Sequence, residues 1–268
     1  MTTRSPEPTS NPSSDPPVDH KEKNIPEKPK VGIYLLPNLF TTACLFAGFY
    51  AIVAAKAGHF ETAAVAIFIA MIMDGLDGRI ARMTQTQSAF GAEYDSLADM
   101  VSFGLAPALV TYEWTLHGLG KIGWLAAFVF TAAVALRLAR FNSQAQSNDK
   151  KFFKGLPSPA GAAVLASLVW VGDDFRIPGE YSVYAALLLC VVVALLMVSN
   201  IHYYSFKEFD LRNRVSFVTA LLIVLVFVLI SSSPPQIIFV SMVLYAASGL
   251  FMTCRKRYRK KNLDGEAD

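Results

Sequence analysis

Four aspartates lie close together between residues 73 and 100, in the stretch MDGLDGRIARMTQTQSAFGAEYDSLADM. Asp74 and Asp77 are three residues apart, so they project from the same face of a helix. Asp95 and Asp99 are four apart and do the same on a second helix. The polar residues after Arg82 are typical of a short turn. The spacing therefore predicts two neighbouring helices that bring four carboxylates together.

This cluster predicts a metal site. Carboxylate oxygens without nearby histidine or cysteine favour hard divalent cations such as Mg²⁺ or Mn²⁺, and Ca²⁺ is a further ion that such a site accommodates. Four negative charges suit two cations better than one, as in two-metal enzymes. Arg82 is placed to bind a phosphate or pyrophosphate through its planar guanidinium. Gly75 and Gly78 keep the same helix slim for a neighbouring helix or a flat ligand.

Two other interpretations of the cluster remain open at this point. The carboxylates can be neutralised by an arginine of a neighbouring helix, in which case the cluster is structural. A divalent-cation transporter is the alternative from a different functional class, because acidic residues inside membranes often mark ion paths.

The surrounding elements are predicted to be membrane helices. The chain has 268 residues, of which 53% are hydrophobic and 17% charged, whereas soluble domains carry roughly 25% charged residues. Apolar stretches of about 17 to 25 residues are long enough to cross a bilayer. Eight such stretches are found, at residues 34–55, 60–82, 92–116, 121–141, 158–175, 181–200, 215–232 and 236–254. The predicted fold class is an all-α polytopic membrane protein with about eight transmembrane helices.

The predicted domain organisation is simple. Residues 1–30 are rich in Pro, Ser, Lys and Glu, which is typical of a disordered tail. Residues 31–254 form the transmembrane catalytic domain, and residues 255–268 form a charged cytosolic tail. Only three of the 24 basic residues, Lys56, Lys121 and Arg176, fall in the loops that face outward when both termini are cytosolic. The basic cytosolic side suits anionic membrane lipids, and no nucleic-acid partner is predicted.

The acidic stretch resembles the CDP-alcohol phosphatidyltransferase family. The family pattern D-x2-D-G-x2-A-R-x8-G-x3-D-x3-D is filled by Asp74, Asp77, Gly78, Ala81, Arg82, Gly91, Asp95 and Asp99. The resemblance implies the family's helical membrane fold. It also implies a divalent-metal enzyme that cleaves a CDP-linked lipid, releases CMP and passes the phosphatidyl group to an alcohol.

Further segments resemble the integral-membrane phosphatidylserine synthases of that family. They are LPNLFTTACLFAGFYAI (36–52), ALRLARFN (135–142), FKGLPSPAGA (153–162) and MVSNIHYYSFKEFDL (197–211). This resemblance implies CDP-diacylglycerol and L-serine as substrates, a homodimer, and a place in the bacterial inner membrane. Glycerol 3-phosphate and an inositol phosphate are the alternative acceptors. One departure is Cys44, which stands where such enzymes often carry Asn.

The resemblance also implies roles for individual residues. All four aspartates would hold the metals, and Asp99 would double as general base toward the incoming hydroxyl. The predicted contacts to the CDP portion are Asn38, Thr41, Gly78, Arg82 and Ser88. Cations on the cytosolic side are candidates for the serine carboxylate or a lipid phosphate, and these are Arg137, Arg140 and Lys154. Each of these three can equally be an ordinary positive-inside residue.

Overall fold

The computed structural model describes residues 31–84, 88–144, 153–203 and 231–264, together with positions 221, 225 and 228. Within these ranges the chain is almost entirely helical, which confirms the predicted helical class. The helices are α1 (Val31–Lys56), α2 (Phe60–Met83), α3 (Ala89–Asp99), α4 (Ala106–Trp114), α5 (Lys121–Gln144), α6 (Ser158–Asp174), α7 (Gly179–Val198) and α8 (Pro234–Asp264).

Four of the described helices are long and apolar enough to cross a membrane. The spans are Pro37–Lys56 in α1, Lys121–Ser143 in α5, Glu180–Val198 in α7 and Pro234–Phe251 in α8. The chain is therefore an integral membrane protein. The predicted stretch 215–232 lies largely outside the described residues, as does the predicted tail 1–30. At the other end, α8 continues as a helix to Asp264, through most of the predicted charged tail.

A π-helical segment, Met100–Leu105, joins α3 to α4 without a break. It begins directly after Asp99, at the end of the acidic stretch. Such wide turns are rare and occur frequently at functional sites. A short 3₁₀ turn, Leu116–Leu119, then leads from α4 towards α5.

The helices around the acidic stretch pack closely because the side chains buried between them are small. α1 packs mainly against α2 and also touches α3 and α4, while α2 packs against α6. The buried cluster between these helices is dominated by alanine, and its larger members are Ile67, Phe103, Val110 and Val169. Small side chains let helix backbones approach closely in a membrane. A second apolar cluster joins α5, α6, α7 and α8.

A two-stranded antiparallel sheet was not predicted from the sequence. Strand β1 (Phe153–Lys154) pairs with β2 (His202–Tyr203), with Phe153 opposite Tyr203. Gly155 follows with a φ of +88°, and a Cβ on it would lie 2.2 Å from the Met197 carbonyl oxygen, so only glycine fits there. This sheet fixes the start of α6 against the end of α7.

Candidate metal and substrate site

Three of the four predicted metal ligands converge. One carboxylate oxygen from each of Asp74, Asp95 and Asp99, here named the acidic triad, lies within 4.8 Å of the others. Asp74 comes from α2 and the other two from α3, so the predicted meeting of two helix faces is present in the structure. The Asp99 Oδ1 atom is buried and has no hydrogen-bond partner among the described residues. A buried carboxylate oxygen without a partner is costly unless a ligand satisfies it.

Asp77 stands apart from the triad. It is only 6% exposed, and its Oδ2 atom accepts a hydrogen bond from the Thr41 hydroxyl of α1. Thr41 itself is 2% exposed. The hydrogen bond links α1 to the acidic face of α2 and orients the Asp77 carboxylate.

The described ion pairs bear on the interpretation of the cluster as purely structural. Within the described ranges, no lysine or arginine forms an ion pair with the triad. The ion pair recorded there joins Lys56 and Glu113, 3.3 Å apart, in the segments predicted to face outward. No described arginine is therefore in ion-pair contact with the triad, as a purely structural cluster would require.

The glycines of α2 border open space. A Cβ added to Gly75 or Gly78 would meet no heavy atom of the described chain within 4 Å. Their interpretation as packing contacts with a neighbouring helix is therefore wrong for the described part. Arg82, one turn beyond Gly78, donates from Nε to the Gly78 carbonyl at 2.7 Å and is exposed. The space beside α2 is open to a ligand, with a guanidinium at its edge.

Ser88 is located at the start of α3, and Asn38 of α1 lies close to the same turn. The Ser88 hydroxyl accepts a hydrogen bond from the Gly91 backbone N–H at 3.0 Å, which makes Ser88 the N-cap of α3. Asn38 Oδ1 lies 3.5 Å from where a Cβ on Gly91 would be. These two of the five predicted CDP contacts are thus close to the same turn. The role of Ser88 as an N-cap was not predicted from the sequence.

The predicted acceptor cations differ in their surroundings. Arg137 donates from Nη1 to the Ser158 hydroxyl at 2.7 Å, and its buried Nε has no partner in the described part of the chain. Its guanidinium and the Asp99 carboxylate attract each other. Arg140 instead donates to the Asn200 side chain at 2.5 Å and to the Val198 carbonyl at 3.4 Å, so it ties α5 to the end of α7. The Lys154 side chain lies outside the described part of the structure.

Two polar contacts next to the triad were not predicted. Asn142, near the end of α5, donates from Nδ2 to the Ser96 hydroxyl at 3.0 Å. The Thr42 hydroxyl and the Tyr94 hydroxyl are 2.9 Å apart and join α1 to α3. The only sequence signal was the presence of polar residues on otherwise apolar helices.

The chain is similar to proteins of known activity. Residues 34–198 match the family model described as CDP-alcohol phosphatidyltransferase. The CDP-diacylglycerol–serine O-phosphatidyltransferase of Helicobacter pylori (strain J99) is 37% identical over 218 residues, which cover 81% of this chain and 90% of that protein. The archaetidylserine synthase of Methanothermobacter thermautotrophicus is 32% identical over 170 residues, covering 63% of this chain and 69% of that protein. Among solved structures, the Mycobacterium tuberculosis phosphatidylinositol phosphate synthase with CDP-DAG bound gives a TM-score of 0.47 at 19% identity, over 62% of this chain and 82% of that one.

Proposed function

The chain belongs to the CDP-alcohol phosphatidyltransferase family, and we propose that it transfers the phosphatidyl group of CDP-diacylglycerol to L-serine, giving phosphatidylserine and CMP. The observation that carries this function is the acidic triad beside the open face of α2. The relatives that match most of this chain are named for serine transfer, so glycerol 3-phosphate and inositol phosphate are not favoured as acceptors. Membership of a transferase family also removes the support for a cation transporter.

The residues fit a divalent cation. Three carboxylates from two helices converge, and one of their oxygens is buried without a partner in the described structure. We propose that the triad and Asp77 hold two divalent cations, Mg²⁺ or Mn²⁺, with Asp77 held in place by Thr41. When bound, such cations neutralise the pyrophosphate and the departing CMP.

The chain's own residues then perform the transfer. The serine hydroxyl attacks the phosphorus that carries the diacylglycerol, the bond from that phosphorus to the oxygen of CMP breaks, and Asp99 takes the hydroxyl proton as general base. Gly78 and Arg82 border the open space in which we place the pyrophosphate, because Arg82 offers a planar set of donors. We assign the CDP portion to this space, with Asn38, Thr41 and Ser88 at its edge.

Arg137 is the proposed ligand of the serine carboxylate. Its Nε is buried and unpartnered within the described chain, whereas both terminal nitrogens of Arg140 have hydrogen-bond acceptors from the end of α7. A guanidinium whose buried Nε lacks a partner in the described chain suits a carboxylate, with which it forms charge-assisted hydrogen bonds. Arg140 therefore positions the helices, and Lys154 remains a further candidate.

The membrane arrangement completes the proposal. We propose eight spans with both termini in the cytosol and the acidic triad in the cytosolic half of a bacterial inner membrane, because 21 of the 24 basic residues then face the cytosol. The homodimer implied by the family resemblance also remains a prediction.

A CMP-release assay tests this function. Purified protein in detergent receives CDP-diacylglycerol and Mn²⁺ or Mg²⁺, with L-serine, glycerol 3-phosphate or inositol phosphate as acceptor. We expect release with serine alone, abolished in Asp99→Asn and retained in Glu93→Gln, which removes an exposed carboxylate from the same helix. Release driven by another acceptor refutes serine transfer but keeps the metal site. No release under any metal refutes both.

A further inference from the structure

Helix α1 touches the π-helical segment at one unusually tight point. A Cβ added to Gly48 would lie 2.4 Å from the Ser102 hydroxyl oxygen and 2.6 Å from the Ser102 Cα. The second atom belongs to the backbone, so a change of the Ser102 rotamer cannot relieve the clash. Ser102 is fully buried, and its hydroxyl donates to the Cys44 carbonyl of α1 at 3.0 Å. Steric fit and a hydrogen bond therefore act at the same place.

This contact lies next to the acidic triad along the chain. Ser102 belongs to the π-helical segment that begins directly after Asp99. A π-helix has an i→i+5 hydrogen-bond pattern, so the place where it begins sets the direction of the side chains on either side. The contact at Ser102 therefore lies within one turn of Asp99, close enough to transmit a shift of the segment to it.

A metal ligand such as the Asp99 carboxylate must be positioned precisely. Moving an alanine Cβ at position 48 out to normal contact displaces the π-helical segment by about 1 Å. Ligand distances in metal sites normally lie within about 0.2 Å of their standard values. A shift of this size at Asp99 would take its carboxylate well outside that range.

We propose that Gly48 and Ser102 are positioning residues that hold the Asp99 carboxylate in the geometry for binding a divalent cation. The inference rests on the proposed metal site. Neither residue contacts the substrate in this proposal, and both act by fixing the π-helical segment against α1.

Binding of Mn²⁺ to the full-length protein in detergent, followed by electron paramagnetic resonance, tests the inference without relying on turnover. Gly48→Ala is expected to weaken Mn²⁺ binding about 10-fold or more, as substitutions behind metal ligands typically do. Ser102→Ala keeps the Cβ but removes the hydrogen bond, and about 5-fold weaker binding is expected. The matched control is Gly172→Ala, whose Cβ would lie 2.0 Å from the Trp114 ring. It introduces a similar clash between α6 and the end of α4 and should leave Mn²⁺ affinity unchanged.

The outcomes separate the inference from the proposed function. Wild-type affinity in Gly48→Ala and Ser102→Ala overturns the inference and leaves the metal site standing. Equal weakening in Gly172→Ala also overturns it, because the effect is then general destabilisation. If Gly48→Ala does not fold, Ser102→Ala decides alone, and unchanged Mn²⁺ binding refutes the inference. A wild-type protein that binds no Mn²⁺ refutes the metal site and the inference together.

Discussion

Replacement of Arg137 by methionine tests the acceptor site most directly. Methionine keeps an unbranched apolar side chain but removes the guanidinium, including the buried Nε that lacks a partner in the described structure. A hydrogen bond to a charged group contributes about 1.5–3 kcal/mol. Since about 1.4 kcal/mol corresponds to a factor of ten, KM for serine should rise roughly 10- to 150-fold. The KM for CDP-diacylglycerol should stay the same.

Initial rates of CMP release at saturating CDP-diacylglycerol and varied serine concentration measure this effect. Arg140→Met is the matched control, because it removes the same group from the same helix but breaks contacts to Asn200 and Val198. It should lower thermal stability and leave KM for serine unchanged. The assignment is refuted if Arg137→Met leaves KM for serine at the wild-type value. If KM for CDP-diacylglycerol rises instead, the guanidinium binds the lipid phosphate.

Three further predictions address the rest of the site. Thr41→Val removes the donor to Asp77 and should weaken Mn²⁺ binding about 10-fold by titration; an unchanged affinity contradicts the proposed role of Asp77. Gly78→Leu fills the open space beside α2 and should raise KM for CDP-diacylglycerol about 10-fold while Mn²⁺ affinity is retained; a normal KM places the substrate elsewhere. Removal of residues 1–30 should leave CMP release intact, and a large loss of turnover shows that this tail has a role.

The acidic triad could be predicted from the sequence because the information is local. Asp74 lies on one face of α2, and the four-residue spacing of Asp95 and Asp99 places them together on α3. Only five residues separate the end of α2 at Met83 from the start of α3 at Ala89, so the two faces meet. The helical class could also be predicted from the sequence. A long apolar stretch in a membrane has to satisfy its own backbone hydrogen bonds, and a helix does so.

The remaining features depend on contacts between segments that are distant in the chain. The hydrogen bond from Thr41 to Asp77 forms between two helices and has no signature in the spacing of residues. The π-helical segment also has no local sequence signal, because Gly48 of α1 and Ser102 are brought together only by packing. Likewise, two residues per strand are too few for a recognisable strand pattern in the β1–β2 sheet.

The polarity of α2 has a consequence for how the protein is made. α2 is not among the four described helices that are apolar enough to cross a membrane by themselves. Each aspartate near a helix centre opposes insertion by about 2.5–3.5 kcal/mol, and α2 carries Asp74 and Asp77. Its principal packing partner is α1, which does qualify as a span and supplies the Thr41 hydroxyl to Asp77. If α2 spans the membrane as proposed, we expect its insertion during biosynthesis to depend on packing against α1, which is already in place.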